Sequence, residues 1–207
     1  IPIETTAPIQ IEYEGYNVVT YIKIGDSSNL ENKISALLSN SQFLLFLKSK
    51  NIRMSFIVNG TIKYWIDKSV NNGVVVLSAN GVEESRWLIH TNESVIVPEN
   101  LRGLINADIN TPDKLKEAKT FDLSFAIALD ENSKLKRLER EESVIYTYLP
   151  TSFRFGSDGF PFLVNANFIT DAGRQQLHKD SEWNKLIFSK IPSEFLLWIK
   201  EISSVYR

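Results

Sequence analysis

Two Asn-Gly pairs, Asn59-Gly60 and Asn80-Gly81, constrain the fold of this chain more tightly than any other feature. Each stands between runs rich in β-branched and aromatic residues: Ile52 to Val58 and Thr61 to Asp67 around the first, Val74 to Ser78 and Val82 to His90 around the second. Both residues of such a pair tolerate the positive φ of a type I′ turn, whose twist matches that of the flanking strands. The spacing therefore predicts a meander of antiparallel strands. A further strand is expected over Tyr16 to Ile24. Ser28-Asn29-Leu30-Glu31 has the pattern of a capping box, and Leu30, Ile34, Leu37 and Leu38 fall on one helical face, so a helix is expected to pack on the sheet.

Further along, Phe121, Leu123, Phe125, Ile127 and Leu129 alternate strictly, which predicts a half-buried strand. Val144 to Leu149, ended by Pro150, and Phe162 to Phe168 read as strands too. The last quarter turns helical. Trp183, Leu186, Ile187 and Ile191 keep helical spacing, and Phe195, Trp198, Ile199 and Ile202 repeat it after Pro192, so two helices are expected to meet near Pro192, with Trp183 and Trp198 in the core. Together these elements make an α/β chain of the α+β type: a mixed or mainly antiparallel sheet, packed helices and a helical C-terminus. With no repeat and no low-complexity linker, residues 1–207 read as one domain, divisible at most into a strand-rich part, 1–110, and a part carrying the C-terminal helices, 111–207.

Composition narrows the chemistry. Lys and Arg number 23 against 25 Asp and Glu, and the isoelectric point near 5.8 leaves no field to attract a phosphate backbone, so no nucleic-acid partner is expected. The longest apolar run, Phe43 to Leu47, falls far short of the ~20 residues of a membrane helix. No membrane partner is expected. The mixed charges from Lys134 to Glu142 read as a solvated face. The chain opens on Ile1-Pro2, has Met54 as its single methionine and contains no cysteine; it reads as a piece of a longer, cytoplasmic protein. His90 and His178 lack metal-ligand spacing and read as a strand-end and a helix-surface residue, so no metal is expected. No G-x-S-x-G elbow, cysteine nucleophile or G-x-x-x-x-G-K-[ST] loop occurs, and the chain alone is not expected to be an enzyme.

One stretch carries a family likeness. Tyr146-Thr147-Tyr148-Leu149-Pro150-Thr151, then Gly159 to Phe168 with Val164-Asn165-Ala166-Asn167-Phe168 at its end, then Arg174 with Leu177, then Ser181-Glu182-Trp183-Asn184, follow one another over Val144 to Ile199. In order and spacing they resemble a block of the sacsin-like and no-vein-type GHKL ATPases. Phe43 to Leu47 and Pro112 to Ala118 resemble weaker segments of the same family. Arg174-Gln175-Gln176-Leu177 is also similar to the Arg-Glu-x-Leu loop in the middle domain of the ninety-kilodalton heat-shock chaperone, with Gln175 in place of the glutamate.

The resemblance implies a transducer-like middle domain. Arg174 would contact the γ-phosphate of ATP held, with magnesium, by an adjacent N-terminal nucleotide-binding domain of the parent protein, a parent with chaperone-like activity that handles protein clients or self-associates. A guanidinium suits that role because it is always charged and donates two parallel bonds. Asn165 and Asn167, two apart on one strand and so on one face, would support the Arg174 loop. Asp171-Ala172-Gly173 resembles the start of the family's D-x-G-x-G adenine box, but Gln175 replaces the second glycine; the fragment itself is expected to hold no cofactor. On residue chemistry alone Arg174 could instead be a surface residue opening a helix behind Thr170 or Asp171, and the two asparagines could simply end a strand. The corresponding alternative for the whole chain is a passive protein-interaction module without ATPase coupling.

Overall fold

In the computed structural model the described residues are 15–20, 29–38, 40–58, 60–154, 159–173 and 175–206. Strands β1 (Ile52–Val58), β2 (Thr61–Asn71), β3 (Val74–Ala79) and β4 (Val82–Ile96) form the antiparallel meander that the turn residues predict. Asn80 and Gly81 have φ of 50° and 81°, and Gly60 has φ of 77°; Asn59 lies outside the described residues. A third turn of the same kind, Asn72-Gly73 with φ of 50° and 81°, joins β2 to β3. Sequence reasoning passed over that pair although its chemistry is identical.

The sheet continues through β5 (Thr120–Leu129) into β9 (Leu163–Ala166), β7 (Ile145–Thr147) and β8 (Leu149–Pro150), while β6 (Leu135–Lys136) pairs with the far end of β5. Among the described residues every pairing is antiparallel except β7 with β9, so the sheet is mixed and mainly antiparallel, as expected. One sheet spans both halves of the chain, because β4 and β5 pair from Arg86↔Leu129 to Ile96↔Thr120. A bulge in β4 between Asn92 and Val95 bends the strand. Among the described residues three α-helices, α1 (Leu30–Leu38), α2 (Glu99–Ala107) and α3 (Asp113–Lys116), precede the long C-terminal α4 (Glu182–Ile202). The predicted cap Ser28 and the side chain of Leu37 lie outside the described residues; Ile34 and Leu38 are buried.

Four expectations are corrected. Residues 16–20 are not a strand, and Val18 and Val19 are exposed; residues 21–24 lie outside the described residues. β5 is buried on both faces. Its odd positions, Phe121 to Leu129, face α4, where Trp183, Leu186, Ile187, Ile191 and Trp198 cover them. Its even positions Ala126 and Ala128 pack under the 3-10 turn Ser41–Phe46, whose Phe43, Leu44, Leu45 and Phe46 are buried with Ile66, Leu77 and Trp87. Small side chains that interrupt an apolar alternation can still be core when something large fits over them. The strand expected over Val144 to Leu149 breaks at Tyr148, whose φ is 66°, leaving β7 and β8 as the arms of a tight turn.

The fourth correction concerns Pro192. It sits inside α4, which runs unbroken for 21 residues rather than as two helices. Proline removes one intrahelical donor and crowds the preceding turn. The apolar stripe on both sides of it, from Trp183 and Ile187 to Phe195 and Trp198, lies on the same sheet face, and that shared burial keeps the two segments coaxial.

Candidate functional site

The stretch with the family likeness folds as β7, β8, β9, a loop over residues 169–178 and the first turn of α4. All four residues of β9 are buried. Asn165, 3% exposed, accepts the Tyr148 N–H on its Oδ1 at 2.7 Å. This bond holds the left-handed residue of the β7–β8 turn, so the side chain of Asn165 braces Tyr148. Asn167 contributes through its backbone: its carbonyl accepts the Trp183 indole N–H at 2.8 Å. Trp183, wholly buried and edge-on to Phe121 at 5.6 Å, thereby ties β9 to α4.

The loop itself is clipped at its base by one side chain. Asn184, 0% exposed, accepts the Ile169 N–H on Oδ1 at 2.8 Å and donates from Nδ2 to the carbonyls of Ile169 and His178 at 2.8 and 3.0 Å. The two ends of the loop are also bonded directly, His178 N–H to Ile169 carbonyl at 3.0 Å. Higher up, Thr170 bridges Leu177, and the Asp171 N–H reaches the Gln176 carbonyl at 2.9 Å. Asp171 Oδ1 accepts the amides of Gln175 and Gln176 at 2.8 and 3.3 Å. That bonding is helix-cap chemistry, but no helix follows: the antiparallel bridge closes a hairpin-like loop instead, which corrects the alternative of a helix opening at Thr170 or Asp171. Ser152 fastens the loop from the side, its N–H on the Gln175 carbonyl at 3.0 Å and its hydroxyl on Gln175 Oε1. Ala172, Gly173, Gln175 and Gln176 are exposed; Arg174 lies outside the described residues.

The Ser-Glu-Trp-Asn motif at 181–184 thus has a physical reading that sequence reasoning missed. Ser181 caps α4, with its Oγ 3.5 Å from the Asn184 N–H. Glu182 N–H goes to Asp108 Oδ2 at 3.0 Å, Trp183 anchors β9, and Asn184 clips the loop. Asp108 also accepts the Asn110 N–H and the Thr111 hydroxyl. Burial pushes its carboxyl up, but the bonds from Asn110, Thr111, Glu182 and Ser181 outweigh that and hold it below the usual carboxylate range.

Neither histidine lies where the spacing argument put it. His90 is in the middle of β4, stacked on Trp198 with centroids 5.5 Å apart, and His178 ends the loop and precedes α4. Among the described residues no group of three or more His, Cys, Asp or Glu is placed to hold a metal ion, and no helix is long and apolar enough to cross a membrane. Comparisons of the chain with protein-family models, with characterised proteins and with solved structures find no match.

Proposed function

We propose that this chain is a non-catalytic, transducer-like middle domain that presents the 169–178 loop to an adjacent nucleotide-binding domain, as the likeness to sacsin-like GHKL ATPases implies. The observation that supports this reading is the construction of the loop. Ala172, Gly173, Gln175 and Gln176 are exposed, while the base of the loop is stapled by the buried Asn184 and braced by Asp171 and Ser152. A loop built this way loses little conformational freedom on meeting a partner, which is what positioning a side chain at a phosphate in another domain requires. Asp171 Oδ1 already accepts two loop amides. It is committed to the fold and poorly placed to hold an adenine amino group. ATP and magnesium would be held by the neighbouring domain, with Arg174 the one side chain contributed from this chain.

The test uses the protein that contains both domains. Arg174→Ala should lower ATP turnover on the order of 10³-fold while leaving nucleotide affinity nearly unchanged, and Arg174→Lys should recover part of the loss. Arg154→Ala is the control, because the Arg154 guanidinium is engaged by the carbonyls of Arg140 and Glu141. Wild-type turnover in Arg174→Ala would sink the transducer reading and leave the passive interaction module.

A further inference from the structure

On the sheet face opposite α4, the 3-10 turn Ser41–Phe46 covers the core only in part. Past Phe46 the chain lifts away and leaves a cleft of about 490 Å³ between residues 47–50 and the sheet. Its floor is a polar row in the middle of the sheet: Thr91 of β4, Ser124 of β5 and Asn165 of β9 are direct cross-strand neighbours. The next row of the same face, Ile89, Ala126 and Leu163, is apolar. Ser124 is 5% exposed and Asn165 3%. Hydrophobic side chains would be the ordinary filling for such central positions.

Several donors that line this cleft are not fully used. Asn165 spends its oxygen on Tyr148 N–H, which fixes the orientation of the amide, and among the described residues its Nδ2 has no acceptor. Thr91 and Ser124 share one bond at 3.0 Å, leaving one of their two hydroxyl protons unused. Lys68, 5% exposed, donates to the carbonyls of Leu45 and Leu47 at 3.0 and 2.5 Å and keeps a third proton. It has no ion-pair partner among the described residues, and burial pushes its ammonium down from its ordinary value. The carboxylates at the rim are already engaged, since Lys48 lies 3.1 Å from Glu93 and 4.0 Å from Asp122. These unused donors open on the cleft itself, where an acceptor-rich occupant can meet them.

We propose that this cleft binds a small organic carboxylate, its oxygens accepting from Asn165 Nδ2, the Thr91–Ser124 hydroxyl pair and Lys68. The apolar wall of Leu45, Val75 and Ile89 suits a carbon skeleton, and the volume is that of a small-molecule site, more than an inorganic oxyanion fills. This inference is independent of the nucleotide-coupling reading and survives its failure.

The experiment is a titration of the isotope-labelled chain followed through its backbone amide signals, with acetate, succinate, citrate and inorganic phosphate in separate arms and neutral succinamide as control. At least one carboxylate should give saturable shifts centred on Lys68, Ser124 and Asn165, with succinamide at least tenfold weaker. Asn165→Asp keeps the oxygen that braces Tyr148 but replaces the donor by a negative charge, and should abolish the saturation. Ser124→Ala, a smaller change, should weaken it by about 3- to 10-fold, the effect of one neutral hydrogen bond. Thermal unfolding of each variant establishes that it is folded, and Ser124→Ala decides alone if Asn165→Asp is not. No saturable shift with any carboxylate, saturation by phosphate alone, or affinity unchanged in the folded variants would each overturn the assignment.

Discussion

Replacing Asn184 by alanine isolates the staple under the 169–178 loop. The substitution deletes three hydrogen bonds at once: Ile169 N–H to Oδ1, and Nδ2 to the carbonyls of Ile169 and His178. A backbone N–H left without an acceptor costs about 1–3 kcal/mol, and each carbonyl that loses its donor roughly 0.5–1 kcal/mol. Alanine returns at most about 0.7 kcal/mol through its better helix propensity at this first-turn position. The net loss should be about 3 kcal/mol, which for a chain of this size lowers the melting temperature by about 6–12 °C. Urea unfolding followed by circular dichroism measures the first quantity. Amide hydrogen exchange gives the sharper reading: the N–H groups of Asp171 and His178, bonded across the loop to Gln176 and Ile169, should lose protection first and most. Asn184→Asp, which retains the acceptor for Ile169 but turns a carboxylate oxygen toward two carbonyls, should be no better than alanine near neutral pH. A loss below about 1 kcal/mol, within the range of an ordinary surface substitution, with unchanged exchange at Asp171 and His178, would show that the loop does not depend on Asn184.

Two further tests probe the frame around the site. Gly159→Ala puts a methyl group 2.6 Å from Ser143 Oγ and 2.9 Å from its Cβ at a residue with φ of 71°, so it should cost at least about 2 kcal/mol in a denaturant melt. Gly73→Ala, with φ of 81° but no atom within 4 Å of the added carbon, should cost roughly 1 kcal/mol, and equal losses at the two sites would discount the Ser143 contact. Asp108→Ala should remove about 1–2 kcal/mol at pH 7 by freeing the Glu182 N–H and the Thr111 hydroxyl. Because the folded carboxyl titrates below its unfolded value of 3.8, that contribution is fully present above 3.8 and disappears as pH falls through the lower folded value. Stability curves of wild type and variant should therefore converge in acid; parallel curves down to that range would mean the carboxylate is not responsible.

Much of the fold could be read directly because its signals are local. Asn80-Gly81 sets its own backbone angles, and the i, i+3, i+4 spacing from Trp183 to Ile191 is set by one helix regardless of what it meets. The candidate site was legible only as a motif. Ser181 to Asn184 stood out as a block, yet nothing within four residues says that the amide of Asn184 will meet both ends of a loop that begins fifteen positions earlier. Asn165 stood out in the sequence as support for the Arg174 loop or as a strand end, whereas the partner that its side chain bonds, Tyr148, is reached only through the parallel pairing of β7 with β9.

The elements whose rules operate within a turn or two of chain were therefore legible from the residues: the hairpins, the C-terminal helical stripe, the buried tryptophans and the α+β class. The packing of distant elements decided that both faces of β5 were buried, that Pro192 would not break α4, that Tyr148 would adopt a left-handed conformation, and that Thr91, Ser124 and Asn165 would line up across three strands. The physical reason is the same in each case. Burial and hydrogen-bond partnership depend on groups far apart in sequence, and their energies exceed the local preferences that a single chain displays.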